Sequence, residues 1–167
     1  MMRPIPVRYS SVLLTCLALA LSGGCQAELA ADKDRKLSPT AIKVLRGAEQ
    51  IEVISLLPEA AEPGKGFHGW KVLGQTMVEV RSGPPEFVEL LIRSTTEPAI
   101  AALCFDPRHG IRVVQGGRTL ELVLCFECGK GEGYLDGESQ PASLLVSYYV
   151  KPDLDQVLQA AGVPLAP

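Results

Sequence analysis

The sequence is poor in the residues from which recognition platforms are built. Aromatic residues make up 5% of it, with one tryptophan, and histidine occurs twice. So thin an aromatic set leaves no stacking platform for bases or sugars. Basic clustering is also missing. The formal charge is -3, and no lysine- and arginine-rich stripe of the kind that tracks a phosphate backbone is present, which argues against a nucleic-acid partner. The apolar runs are too short to span a bilayer comfortably, and no internal repeat is visible. What remains is a chain of 167 residues, 47% hydrophobic and 21% charged. That is the length and composition of one globular domain.

The first residues stand apart from the rest. "MMRPIPVRYS" carries Arg3 and Arg8 and no acid, and "SVLLTCLALALSGG" follows as an apolar stretch. A charged start, an apolar middle and small residues before a break describe a secretory signal peptide. The break ends in Gly23-Gly24-Cys25, which resembles the lipobox of bacterial lipoproteins, where cleavage precedes a cysteine that becomes lipidated. Ser22 stands where that pattern prefers leucine, and Leu21 lies one place early. The organisation expected is a signal peptide over 1–24, a lipidated Cys25 with a polar tether over 25–37, and one domain over 38–167. Losing Arg3 and Arg8 with the signal takes the formal charge from -3 to -5. A lipid at Cys25 would hold the protein at a membrane, on its periplasmic or cell-surface side, without any spanning helix.

Within the domain, "SPTAIKVLRGA" reads as a short helix with Ser38 as N-cap and Pro39 at its first position. "QIEVISLL" reads as a strand, "PEAAEPGKGFHG" as a loop, and "WKVLG" as a second strand extending toward "TMVEV". "SGPPEFVELLIRSTTEP" is a helix with prolines in its first turn and Pro98 as its stop. "GIRVVQGGRTLELVLCF" is a hairpin turning on Gly116-Gly117. Its register pairs Val113 with Leu120, Ile111 with Leu122 and His109 with Leu124, and sets Arg112 against Glu121 on the other side. Leu120, Leu122, Leu124 and Phe126 then face the core. "GKGEGYLDGESQP" reads as a glycine-rich loop, "ASLLVSYYV" as a strand, and "KPDLDQVLQAAGVPLAP" as a closing helix. The fold class is α+β: an antiparallel sheet with a central β-hairpin and two or three helices packed on it.

The chemistry-bearing residues gather in "CFDPRHG" and "CFECGKG". Cys104, His109, Cys125 and Cys128 could supply the four ligands of a structural zinc site, since the hairpin brings the two pairs together. Against this, Pro107 disturbs the approach to His109, and strict alternation turns His109 to the core while Cys125 points away. The Cys-x-x-Cys spacing also suits redox chemistry, although here it ends a strand instead of opening a helix. Haem attachment needs a histidine at position 129, which is glycine. A Cys104/His109 nucleophile pair, with His68 as a third member, would need mutual hydrogen-bond reach. The remaining reading is one disulfide or buried thiols with a hydrogen-bonded His109. Positions i and i+3 of an extended strand lie about 10 Å apart on opposite sides. Cys125 and Cys128 therefore bridge only if the chain turns there, as Gly129 and Gly131 allow. The hairpin register sets position 104 level with about position 129, which makes Cys104–Cys128 or Cys104–Cys125 the better candidate. Arg108 suggests an anion site or an ion pair with Glu121, Glu127 or Asp106. Glu127, Glu132 and Asp136 read as solvated loop charge. No catalytic residue is assigned.

The blocks "GFHGWKVLG", "CFDPRHGIRV", "LELVLCFEC" and "VLQAAGVPLAP" resemble a family of uncharacterised bacterial proteins, often exported, over roughly Ala41 to Leu165. The resemblance implies that Cys104, Pro107, Arg108, His109, Cys125 and Cys128 form one shared feature. It carries no activity. The function expected is a non-enzymatic, membrane-tethered exported protein with a structural Cys/His cluster. The alternative is a zinc-binding or thiol-redox protein using Cys104, His109, Cys125 and Cys128.

Overall fold

A computed structural model describes residues 36–80, 85–96, 101–140 and 144–167. The signal segment, Cys25 and the tether up to residue 35 lie outside them, as do Pro84 and Pro98. Described elements run α1 (Pro39–Arg46), β1 (Gln50–Ala60), β2 (Trp70–Val78), α2 (Glu86–Ser94), β3 (His109–Gln115), β4 (Arg118–Cys125), β5 (Lys130–Leu135), β6 (Glu138–Ser139), β7 (Leu144–Leu145), a 3-10 turn (Tyr148–Val150) and α3 (Lys151–Ala160). The strands form one antiparallel sheet in the order β2-β1-β3-β4-β5-β6, with β7 paired to β5. This is the α+β arrangement the sequence predicts, with the hairpin at its centre.

Each helix is an apolar stripe seeking a surface. Ala41, Val44 and Leu45 of α1, Phe87, Val88, Leu91 and Ile92 of α2, and Leu154 and Leu158 of α3 are buried. Ser38 caps α1, accepting a bond from the Ala41 N–H, and Pro39 fits its first turn. The helices cover one face of the sheet, against Ile51, Val53, Ile111, Val113, Leu120, Leu122 and Leu124. Leu37 joins that core, so the packed domain reaches back into the stretch expected as tether. The opposite face carries a smaller cluster of Ile54, Leu56, Phe67 and Val123, flanked by Trp70, Val72, Phe105 and Tyr134.

The hairpin pairs as expected: Val113 with Leu120, Ile111 with Leu122, His109 with Leu124 and Arg112 with Glu121. Two expectations fail. The "GKGEGYL" loop is strand β5 from Lys130 to Leu135, with Gly131 as a spacer for neighbouring side chains. A side chain at Gly131 would meet Leu124 at 3.0 Å and Val146 at 3.1 Å. In "ASLLVSYYV", Ala142 and Ser143 lie outside the described residues; the described strand is Leu144–Leu145, and Tyr148–Val150 wind into a 3-10 turn that leads directly into α3. Strand β1 also runs through Pro58 to Ala60, shortening the following loop, with pairing irregularities that accommodate the proline.

Candidate functional site

The site lies at the open end of the central hairpin. Strand β4 ends at Cys125, and the chain turns over Phe126–Gly129 before β5 begins. Gly129 takes a φ of +63° and its N–H bonds the Phe126 carbonyl at 3.1 Å. That turn brings the Cys125 and Cys128 Cα atoms to 5.2 Å, within bridging range, and the two sulfurs form a disulfide. The expected pairing through Cys104 is thus corrected. An extended chain would keep Cys125 and Cys128 apart, and the chain is not extended there.

Cys104 nevertheless comes to this bridge. The preceding segment is fastened at two points astride it. The Ala102 N–H donates to the Cys128 carbonyl at 2.9 Å, and the Asp106 N–H donates to Cys128 Sγ at 3.3 Å. Between these anchors, Cys104 Sγ lies 3.5 Å from Cys128 Sγ. Its thiol is free and exposed, whereas Cys125 and Cys128 are buried. The Cys128 N–H donates to Cys125 Sγ at 3.2 Å. Three sulfurs therefore meet: one thiol in solvent and two in a buried bridge.

Cys104, Asp106 and Cys128 also place their ligand atoms within 4.8 Å of one another, a group that could hold a metal ion. Cys128 would serve as a thiolate only once its bridge opened. His109 is not among these residues. It follows Ile111 and Val113 onto the helix-covered face, while Cys125 continues the side of β4 that carries Glu121 and Val123. Its Nε2 is 2.8 Å from Asp155 Oδ1 in α3, and Lys151 Nζ donates to Asp155 Oδ2 at 2.7 Å. The ring packs edge-on to Phe126 at 5.3 Å. Burial lowers the His109 pKa, opposed by the bond to Asp155. A neutral ring donating from Nε2–H leaves Nδ1 as a bare acceptor, and Nδ1 is buried without a partner. An unpaired acceptor of this kind is tolerated more readily than a buried unpaired N–H.

His68, the other histidine, is also away from the sulfurs. It holds a φ of +50°, stacks on Tyr134 with ring centres 3.7 Å apart, and lies 2.9 Å from Glu121 Oε2. Glu121 and Glu52 flank Arg112 at 2.7 and 2.6 Å, making a ladder across β1, β3 and β4. Tyr134 donates to Glu132 at 2.9 Å, and burial with that bond pushes its pKa up to about 12. Glu132 is therefore a strand residue, not a loop charge. These polar groups satisfy one another. Arg108 does the same: its guanidinium lies 3.6 Å from Glu127 and bonds the Asp106 and Pro167 carbonyls. A cleft of about 480 Å³ at the mouth of the β1–β2 hairpin is lined by Glu59, Glu62, Lys65 and Lys71, whose charges pair with each other.

No known family profile, curated protein or solved structure matches the chain. The residues that sequence reasoning missed are Asp106, as a neighbour of the sulfurs, and Asp155 with Lys151, as partners of His109. The spacing of Lys151 and Asp155 on the closing helix was a readable signal for that ion pair, but not for its contact with His109.

Proposed function

We propose that this is an exported, lipid-tethered α+β protein whose working element is a thiol–disulfide centre made of Cys104, Cys125 and Cys128. The approach of Cys104 Sγ to 3.5 Å from Cys128 Sγ carries this reading. A free thiol in contact with a disulfide sulfur is the ground state from which exchange starts. A purely mechanical staple needs no third sulfur. The short Cys125-to-Cys128 loop points the same way, because closing so few residues removes little chain entropy. Export and the anchor are supported by the charged, apolar and Gly23-Gly24-Cys25 succession at the start of the chain. They suit this chemistry, since disulfides persist outside the cytosol. The membrane is the partner reached through the anchor, and the family resemblance over Ala41–Leu165 belongs to the same reading.

Equilibration in glutathione buffers tests the centre, with the Cys125–Cys128 bridge counted by alkylation and mass spectrometry. The expected midpoint lies in the range of thiol–disulfide exchangers, roughly -120 to -270 mV. A midpoint below about -300 mV would mark a structural bridge and end this proposal.

A second reading is supported by the Cys104, Asp106 and Cys128 grouping: the reduced centre takes up zinc. Opening the bridge frees Cys125 as well, giving three sulfur donors and one carboxylate. Ligands held about 2.3 Å from a tetrahedral zinc lie about 3.7 Å from each other, close to the sulfur separation already present. His109 stays with Asp155 in this version. Reduced protein is expected to bind one equivalent of zinc in competition with a chromogenic chelator, and Asp106→Ala to weaken it. No uptake by the reduced wild-type chain would eliminate the zinc reading.

A further inference from the structure

The Cys125–Cys128 bridge is shut away from the molecules it would serve. Its two residues are 0% and 1% exposed, so both sulfurs are screened from an external thiolate. Cys104 has both access and contact. We infer that Cys104 is the carrier that brings the oxidising equivalent of the buried bridge to the surface, by migration of the disulfide from Cys125–Cys128 to Cys104–Cys128. This rests on the thiol–disulfide reading above and names how that centre meets its substrate, a small or protein-borne thiol.

The step balances within the protein. Cys104 loses its proton and its thiolate attacks Cys128 Sγ. The Cys104–Cys128 bond forms as the Cys128–Cys125 bond breaks, and Cys125 leaves as a thiolate that takes up a proton. One disulfide and one thiol exist before and after, so no outside oxidant or reductant is needed. The leaving sulfur already has a donor, the Cys128 N–H at 3.2 Å. The attacked sulfur is held by the Asp106 N–H at 3.3 Å, and the bond from Ala102 to the Cys128 carbonyl holds the attacking segment in place. After migration, the exposed sulfur of Cys104 belongs to the bridge. An external thiolate can then attack it, forming a mixed disulfide on Cys104 and releasing Cys128 as a thiolate. A second external thiol resolves the mixed disulfide, leaving all three cysteines reduced and the external pair oxidised.

Two measurements on the full chain test this. In the first, the bridge is reduced by glutathione under native conditions and its loss is followed by acid-quenched alkylation. Cys104→Ser should slow reduction by about tenfold or more, because it removes a nucleophile held in contact with its target, while the melting temperature stays unchanged. In the second, wild-type protein without added thiol is acid-quenched, digested and mapped. A minor species with a Cys104–Cys128 link and an alkylated Cys125 is expected. Equal reduction rates in both proteins, with no Cys104–Cys128 peptide, would overturn the relay while an exchange-range midpoint left the centre itself standing. A bridge that glutathione reduces in neither protein overturns the centre and the relay together.

Discussion

The His109 pKa lies below the ordinary 6.5 because burial disfavours its charged form, and the carboxylate of Asp155 offsets this only in part. Lys151 opposes the proton and Glu127 favours it, both more weakly. The unfolded chain holds its histidine proton more tightly than the folded one. Stability is therefore fully present above the ordinary value of 6.5 and is lost as pH falls below it. Asp155 is also held below its ordinary value: burial works against this, but the bonds from Lys151 and His109 prevail. Its contribution fades at lower pH, in the carboxylate range. Melting temperature should fall between about pH 7 and 5, and His109→Gln should flatten that fall; an unchanged slope would show that another group governs it. The bridge offers a second check at this scale. Closing a loop of so few residues stabilises by about 2 kcal/mol on the chain-entropy estimate, against about 3 for the loop of some twenty residues expected from Cys104. Cys125→Ala with Cys128→Ala should cost about that much in chemical denaturation, and a chain that no longer folds would make the bridge a staple. The contact of Arg112 with Glu121 was readable because a two-residue turn fixes its register. That of His109 with Asp155 was not, because 46 positions separate them and only the docking of α3 joins them. The Cys125–Cys128 bridge was not legible because it depends on how tightly the chain turns over Phe126–Gly129 after β4 ends.

Strand β5 shows where element reading fails and why. Glycine in "GKGEGYL" signals a turn by composition, yet Gly131 sits where Leu124 and Val146 need room. The absence of a side chain is a packing requirement imposed from the neighbouring strand, and nothing local announces it. The same holds for Gly110 in β3, where a Cβ would come 2.9 Å from the Phe67 ring. Gly110→Ala should destabilise by about 1–3 kcal/mol through overpacking, measured by denaturant titration; a neutral result would mean that the Phe67 loop yields freely. The helices were legible, since their stripes repeat with the helical period and their ends carry proline or a cap. The "ASLLVSYYV" stretch differs from its β-rich composition because, among its described residues, Leu144 and Leu145 pair with β5, opposite Gly131 and Lys130. Beyond that, the Ser147 N–H bonds the Ser94 carbonyl at the end of α2, and the chain turns away from the sheet.

For the molecule as a whole, the α+β class followed from mixed helix and strand periods around one strong hairpin, and the face away from the helices carries a smaller apolar cluster. The proposed attachment is tested at this scale. Labelling with a radioactive lipid precursor should mark the protein at Cys25, and Cys25→Ala should abolish the label and release the protein from membranes. An unlabelled wild type, or a mature start at another residue, would remove the anchor. The sulfur centre has one more property, which concerns time. Everything that builds it lies in one unbroken run from Ala102 to Leu135, through successive antiparallel neighbours β3, β4 and β5. Pairing between successive strands closes short loops, which costs the least entropy and comes earliest in folding. The join of β1 to β3 spans a much longer stretch that includes α2. The three cysteines can therefore meet without the amino-terminal strands, so that closing the bridge requires the hairpin and β5 but not the join to β1.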